Sequence, residues 1–321
     1  MKVILVYNGY TPKSIAMLKS NRQLKVIVYQ NQKEFDQYIS DSTIVLIRSN
    51  TQVHEKLILG AKNLKLVVTA TSGFDHIDYS CCMKNNIKVL YTPNANVQSA
   101  AELTIGHMLN ISRKLTQAQT SLFNDRWRSP DLFASNLGGK NLGIVGLGRI
   151  GQKVTQIAQA IGMKVAAYDP YIEHSMFQAL NVEPQGFMEL LRNSDVLSLH
   201  VPLTKETFEM INAKTLVEAN TDLILINASR GQVIREPDLI QWLQKKKIKA
   251  AGLDVYHKEP LVKDSELKQL KNVFLTPHIG AFTEEAYVEA SEDAVAKALR
   301  FIDSGELRDE LPLDQAWAKF L

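Results

Sequence analysis

Short apolar runs rich in Val, Ile and Leu alternate along almost the whole chain with longer segments that mix apolar and polar positions. This is the pattern of βαβ units built around parallel sheets. Strands are expected at residues 2–6, 25–29, 43–47, 65–69 and 87–91, with segments such as 12–20 and 32–40 as helices between them. Together they make an open doubly wound sheet of flavodoxin-like size. A second series at 142–146, 164–169, 196–200, 223–227, 250–254 and 273–276 supplies the strands of two mononucleotide-binding halves. Two long helical patterns flank this series. One covers 99–116, opened by Ser99 with Glu102 in capping-box spacing; the other covers 284–303, opened by Thr283 and closed by Gly305. The fold class is therefore α/β, with two doubly wound parallel-sheet domains. Residues 304–321 are too few for a domain of their own and are expected to pack back on the first sheet, which makes the first domain discontinuous: 1–97 with 284–321, against 98–283 for the second.

The segment GLGRIG at 146–151 follows a predicted strand directly and opens a helical segment, the context in which a GxGxxG match carries weight. Gly146 permits the tight turn, Gly148 lets the backbone approach a pyrophosphate, and Gly151 permits close helix-to-strand packing, while the helix N-terminus offers amide donors to the anion. Asp169 ends the next strand, roughly 20 positions on, where a carboxylate bonds the ribose hydroxyls of NAD and repels the 2′-phosphate of NADP. Arg149 has two readings of equal weight, a phosphate partner or a solvent-facing charge.

In a doubly wound sheet the ligand crevice lies beyond the carboxyl ends of the strands. Polar residues stand there after three successive predicted strands: Ala228-Ser229-Arg230-Gly231, then Tyr256, His257 and Glu259-Pro260, then Pro277-His278-Ile279-Gly280. Hydride exchange between a 2-hydroxy acid and a nicotinamide needs a cation for the carboxylate and carbonyl, and a proton donor or acceptor at the hydroxyl. Arg230 meets the first need. His278 paired with Glu259 meets the second, because the carboxylate favours imidazolium. Singly, Arg230 reads as a turn cap, His278 as a satisfied histidine and Glu259 as a surface charge; at consecutive strand ends the functional reading prevails. His200 and Asp254 occupy further strand ends and read as cofactor neighbours.

These residues lie within segments that resemble the D-isomer-specific 2-hydroxyacid dehydrogenases nearly end to end: VTATSGFDHID (68–78), TPNANVQSAAE (92–102), GKNLGIVGLGRIG (139–151), LHVPLTKET (199–207), NASRG (227–231), GLDVYHKEP (252–260) and TPHIGAFT (276–283). The resemblance implies a Rossmann NAD-binding domain over 98–283 and a substrate-binding domain from the remainder. It implies Arg230 as binder of the substrate carboxylate and carbonyl, His278 as acid/base and Glu259 as its partner. It places Asp254 on the nicotinamide carboxamide, extends the cofactor contacts to Ile150, His200, Pro202 and Ala228, and makes the Ser72-Gly73 backbone a second carboxylate site. A homodimer through the nucleotide domain is also implied. Arg48, leaving the third strand in IRSNTQV (47–53), resembles the basic residue that faces the substrate phosphate in phosphoglycerate dehydrogenases, so 3-phosphoglycerate and phosphohydroxypyruvate are the expected pair; position alone equally allows an arginine paired with a surface carboxylate. Glycerate/hydroxypyruvate or another D-2-hydroxy acid is the alternative. Tyr256 stands where the family often has Phe, and with the chain stopping at Leu321 no C-terminal regulatory domain is expected.

Composition narrows the picture further. Across 321 residues, 45% hydrophobic and 22% charged residues are ordinary for a globular protein, and a net charge of +3 gives no ground for a nucleic-acid or membrane surface. With adjacent Cys81 and Cys82 as the only cysteines, with no leader-like start and with no span-length apolar run, a soluble cytoplasmic protein without disulfides or metal is expected. Lys245–Lys247 with Lys249 close an apparent helix at 236–246, where cations suit the dipole. Gly139-Lys140 lacks the Walker spacing, His54-Glu55 lacks the second histidine of a zincin, and the Asn110 and Asn227 glycosylation patterns have no secretion signal beside them. The rival of another class is a non-catalytic NAD sensor like the corepressors that share this fold. It would need a peptide groove on the first domain, which nothing in residues 1–97 specifies.

Overall fold

In the computed structural model, which describes residues 2–311, the chain divides into two units. It passes from the first to the second between Asn96 and Val97 and returns between Gly280 and Ala281.

The first unit holds five parallel strands, β1 (Lys2–Tyr7), β2 (Leu24–Tyr29), β3 (Ile44–Ile47), β4 (Leu66–Thr69) and β5 (Lys88–Tyr91), in the order β2-β1-β3-β4-β5. Alternate residues of the same apolar runs feed two cores. Ile4, Val6, Ile44, Leu46, Leu66 and Val68 pack on one face, and Leu5, Val45, Ile47, Val67 and Val89 on the other. Both faces are thus buried, which is why these strands lack polar alternation. The helix Glu284–Ser304 covers the first face with Ala290, Ala294, Val295 and Ala298. Thr283 caps it by accepting the Ala286 N–H, and Gly305 ends it at φ +76. Fully buried Lys297 ties it to the sheet, donating to the Tyr91 carbonyl at 2.7 Å and pairing with Asp309 at 2.9 Å. The segment after this helix returns to the sheet edge, where Leu311 N–H meets the Val89 carbonyl at 3.0 Å. The rest of the expected packing tail, 312–321, lies outside the described residues.

The second unit holds β6 (Asn141–Val145), β7 (Lys164–Tyr168), β8 (Glu183–Pro184), β9 (Val196–Leu199), β10 (Ile224–Asn227), β11 (Ala250–Leu253) and β12 (Val273–Leu275), all parallel, in the order β12-β11-β10-β9-β6-β7-β8. The chain leaves β6 toward β7 on one side and reappears as β9 on the other, so the switch point lies between β6 and β9. The strand β8 was not expected: it is two exposed residues, one of them proline, and carries no apolar signal. The helix expected at 99–116 runs instead from Val97 to Arg113. Ser99 is buried inside its first turn and is not its cap. At the other end Lys114, left-handed at φ +53, separates it from a second helix, Leu115–Phe123. The helix closed by the lysine run is Glu236–Gln244, and Lys247 lies 4.6 Å over the Trp242 ring.

Candidate functional site: a dinucleotide cradle and a histidine–glutamate pair

At the switch point Gly146 has φ +93, and a Cβ there would stand 2.6 Å from the His200 carbonyl oxygen at the end of β9. Any side chain would be strained by conformation and blocked by backbone. Gly151, in the first turn of the helix Arg149–Ala160, would put a Cβ 2.1 Å from the Gly146 carbonyl oxygen. Gly148 differs, because the space where its Cβ would stand is open. A side chain there would fill the approach to the helix N-terminus, so the turn offers amide donors to a phosphate and keeps the way to them clear. Asp169 follows β7, its Oδ2 accepting the Leu147 N–H at 2.9 Å and its Oδ1 the Tyr171 N–H at 3.0 Å. The carboxylate is thereby held beside the glycine turn, and each oxygen keeps a lone pair for a hydroxyl. Arg149 is exposed and Ile150 half-buried against the core. The His200 ring takes a 2.8 Å bond with Ser198, and burial pushes its pKa down to about 4, so it is neutral. Pro202 is exposed in the following loop, its carbonyl accepting the Thr207 hydroxyl at 2.6 Å.

The ends of β10, β11 and β12 bring Arg230, Glu259 and His278 together. After β10, Asn227 builds the turn Ala228–Arg230: its Oδ1 accepts the Ser229 N–H and hydroxyl, and its amide donates to the Arg230 carbonyl at 2.9 Å. Arg230 in turn donates from Nη1 to the Ser229 carbonyl at 2.7 Å. After β11, Glu259 turns back so that Oε1 accepts the Tyr256 N–H at 3.0 Å, and its Oε2 meets His278 Nδ1 at 2.6 Å. His278 sits at φ +53, unusual for a residue other than glycine. Its N–H is anchored on the Asp254 carbonyl at 2.8 Å.

The fully buried Asp254 carboxylate fixes the same loop, accepting the Thr276 hydroxyl at 2.6 Å, the Ile279 N–H at 2.9 Å and the Gly280 N–H at 2.8 Å. One acceptor position of the carboxylate is left over. The Glu259 hydrogen bond raises the His278 pKa against partial burial, with the Glu259 charge adding to the rise and Arg230 opposing it. For Glu259, burial pushes the pKa up, but the bonds to His278 and the Tyr256 N–H and the charges of His278 and Arg230 together carry it below the usual value. The pair is therefore an imidazolium–carboxylate over a widened pH range, with Nε2 left outside the pair.

In the first unit Ser72 and Gly73 follow β4 in a loop braced by hydroxyls: Thr71 donates to the Gly73 carbonyl at 2.6 Å, Thr69 meets Thr71 at 2.6 Å, and the His76 ring meets Thr69 at 3.0 Å. Arg48, just beyond β3, has no carboxylate partner among the described residues. Its Nη2 donates to the Tyr287 carbonyl at 2.9 Å and the Ser291 hydroxyl at 2.7 Å, and its guanidinium lies 4.5 Å from the Tyr287 ring centre and 5.5 Å from that of Tyr10. Its Nε is buried without a partner. Asn227, Thr276 and Gly231 lie inside the motifs quoted above, but their loop-building roles carried no signal in the sequence. No cluster of metal ligands occurs among the described residues. Cys81 and Cys82 are buried free thiols, and burial pushes Cys82 up to about 12.

The open glycine turn, the anchored acid after β7 and the switch-point sheet define a dinucleotide-binding domain. Residues 105–280 match the family described as D-isomer specific 2-hydroxyacid dehydrogenase, NAD binding domain. The chain belongs to the D-isomer specific 2-hydroxyacid dehydrogenase family. It is 36% identical to D-3-phosphoglycerate dehydrogenase of Methanocaldococcus jannaschii over 97% of its own length and 59% of that protein's. It is 37% identical to hydroxypyruvate reductase of Thermotoga maritima over 88% of its length and 93% of that protein's. The chain spans between 54% and 59% of the length of the curated phosphoglycerate dehydrogenases it matches. Among solved structures, D-lactate dehydrogenase of Aquifex aeolicus complexed with NAD and lactic acid superposes with a TM-score of 0.84 at 28% identity, covering 94% of this chain and 95% of that one.

Proposed function

We propose that the protein is an NAD-dependent dehydrogenase acting between D-2-hydroxy acids and 2-keto acids. The observation that carries this is the 2.6 Å bond between His278 Nδ1 and Glu259 Oε2 beside Arg230, on the same sheet end as the glycine turn. When NAD is bound, held by the turn at Gly146–Gly151 and by Asp169, it supplies or accepts the hydride at the substrate's C2. Ile150, His200, Pro202, Ala228 and Asp254 line or support that cofactor site. In reduction, Arg230 holds the carboxylate and polarises the carbonyl, and the proton passes from His278 Nε2 to the carbonyl oxygen as it gains electrons. Glu259 stabilises the charged imidazole before transfer and orients the ring through Nδ1. In the first unit the Ser72-Gly73 backbone is the second carboxylate binder, and Arg48 answers a distal phosphate with its guanidinium charge. That makes phosphohydroxypyruvate and 3-phosphoglycerate the preferred pair, the oxidation that opens serine biosynthesis. A second reading, hydroxypyruvate and glycerate, is favoured by the occupation of Arg48 Nη2 by Tyr287 and Ser291 and by the near-full-length match to a hydroxypyruvate reductase. A panel of 2-keto acids reduced with NADH tests the proposal: no turnover with any of them rejects it.

The working form is a homodimer through the NAD-binding domain, in the cytoplasm. In support, Leu122, Phe123, Trp127 and Phe133 expose their side chains on one stretch of that domain, Trp127 at 77% and Phe133 at 89%. A run of large apolar groups this exposed marks an interaction surface. Replacing Trp127 and Phe133 together by Glu is expected to give a monomer by light scattering; an unchanged mass rejects this interface.

A further inference from the structure

A hydrogen-bonded string runs from the middle of the helix Val97–Arg113 to the loop that carries His278. His107 is fully buried on that helix, edge-on to Phe274 with ring centres 4.8 Å apart. Its Nε2 lies 2.9 Å from the Thr276 hydroxyl. That hydroxyl is 2.6 Å from Asp254 Oδ1 and must donate to it, since a carboxylate only accepts. Thr276 can therefore only accept from His107, which fixes the ring as the neutral Nε2–H tautomer. Burial pushes its pKa down to about 4 against the Asp254 charge, which keeps that form at neutral pH. Its Nδ1 lies buried beside the Gly252 backbone.

We propose that His107 is a positioning residue for the acid–base group: through Thr276 it sets the Asp254 carboxylate, which grips the Ile279 and Gly280 amides and so holds His278. The His278 backbone, left-handed and anchored on the Asp254 carbonyl, is the part of the site most in need of such support. This rests on the reading of His278 as the proton donor.

The test uses the full chain with His107→Leu, which removes the donor, and His107→Gln, whose amide N–H restores it. For His107→Leu, kcat in keto-acid reduction is expected to fall about tenfold while KM for the keto acid stays within about twofold, the split expected when geometry at the reacting atom is lost. Amide exchange at Ile279 and Gly280, followed without substrate, is expected to quicken in His107→Leu and to return to the wild-type rate in His107→Gln, together with kcat. Thr276→Val cuts the string at its middle link and is expected to reproduce the His107→Leu loss, which keeps the test decisive if the leucine variant does not fold. Wild-type kcat and exchange in His107→Leu or Thr276→Val, or equal damage from Leu and Gln, overturn the inference. A His278→Ala enzyme that keeps turning over overturns the functional reading instead, so the two failures are told apart.

Discussion

Gly231 has no room for a side chain, because the Tyr256 carbonyl oxygen stands 1.8 Å from where its Cβ would be. The loop that carries Arg230 thus lies backbone against backbone on the loop that carries Glu259. Gly231→Ala must push the two apart, and with them the cation and the acid–base pair. A displacement of this kind is expected to lower kcat/KM by on the order of 10²-fold. NADH binding, which the proposed function assigns to the Gly146–Gly151 turn, is expected to hold. Steady-state kinetics with a fluorescence titration of NADH checks both, and unchanged kcat/KM would separate Arg230 from the pair.

His278→Ala is expected to lower kcat by about 10² to 10⁴, the span for a lost acid–base group, with NADH affinity little altered. Glu259→Gln tests the pairing by sign. The carboxylate raises the His278 pKa, so the protonated form that reduction requires persists to higher pH in the wild type. Without the anion the pKa falls, and the high-pH limb of the reduction profile moves to lower pH. Profiles of kcat/KM against pH for both enzymes measure this; coincident limbs would rule the pairing out.

Asp169 bonds the Leu147 and Tyr171 amides, and the proposed function gives it the ribose hydroxyls as well. Asp169→Asn, which removes the charge but keeps one acceptor oxygen and so one of the two amide bonds, is expected to narrow the preference for NADH over NADPH. Asp169→Ala removes both amide bonds and should weaken both cofactors. The ratio of the two dissociation constants is the readout, and a wild type that binds both equally would dismiss Asp169 as the selector.

Most of the strands were legible because parallel strands covered on both faces must be continuous apolar runs, as Ile44–Ile47 and Ile224–Asn227 are. Glu183–Pro184 was not, since two exposed edge residues need no apolar pattern. Ser99 misled because capping-box spacing also arises inside a helix, where here the serine is simply buried. The convergence of Arg230, Glu259 and His278 followed from topology, because neighbouring parallel strands deliver their carboxyl-end loops to one place. His107 was invisible: a lone histidine on an apolar helical face reads as any core residue until its partner on β12's far end is seen. The bonds of Arg48 to Tyr287 and Ser291 depend on where a helix far along the chain is laid, which no local pattern encodes.

Arg48 separates the two proposed substrate pairs. Half-buried between two aromatic rings, with Nη2 committed to Tyr287 and Ser291 and Nε unpartnered, it is either an anion binder held ready or a brace for the helix Glu284–Ser304. Comparing substrates separates these roles. A brace, when lost, harms every keto acid alike, since it acts through the fold. An anion binder, when lost, harms only the substrate with the distal charge. With phosphohydroxypyruvate, Arg48→Ala is expected to cost roughly 1.5–3 kcal/mol in kcat/KM, the span for a charge-assisted hydrogen bond. With hydroxypyruvate it should cost far less, and the wild type should prefer the phosphorylated acid. Parallel kinetics on the two acids give the answer. Equal losses, or a wild type that favours hydroxypyruvate, would make Arg48 a brace and turn the assignment to the glycerate pair.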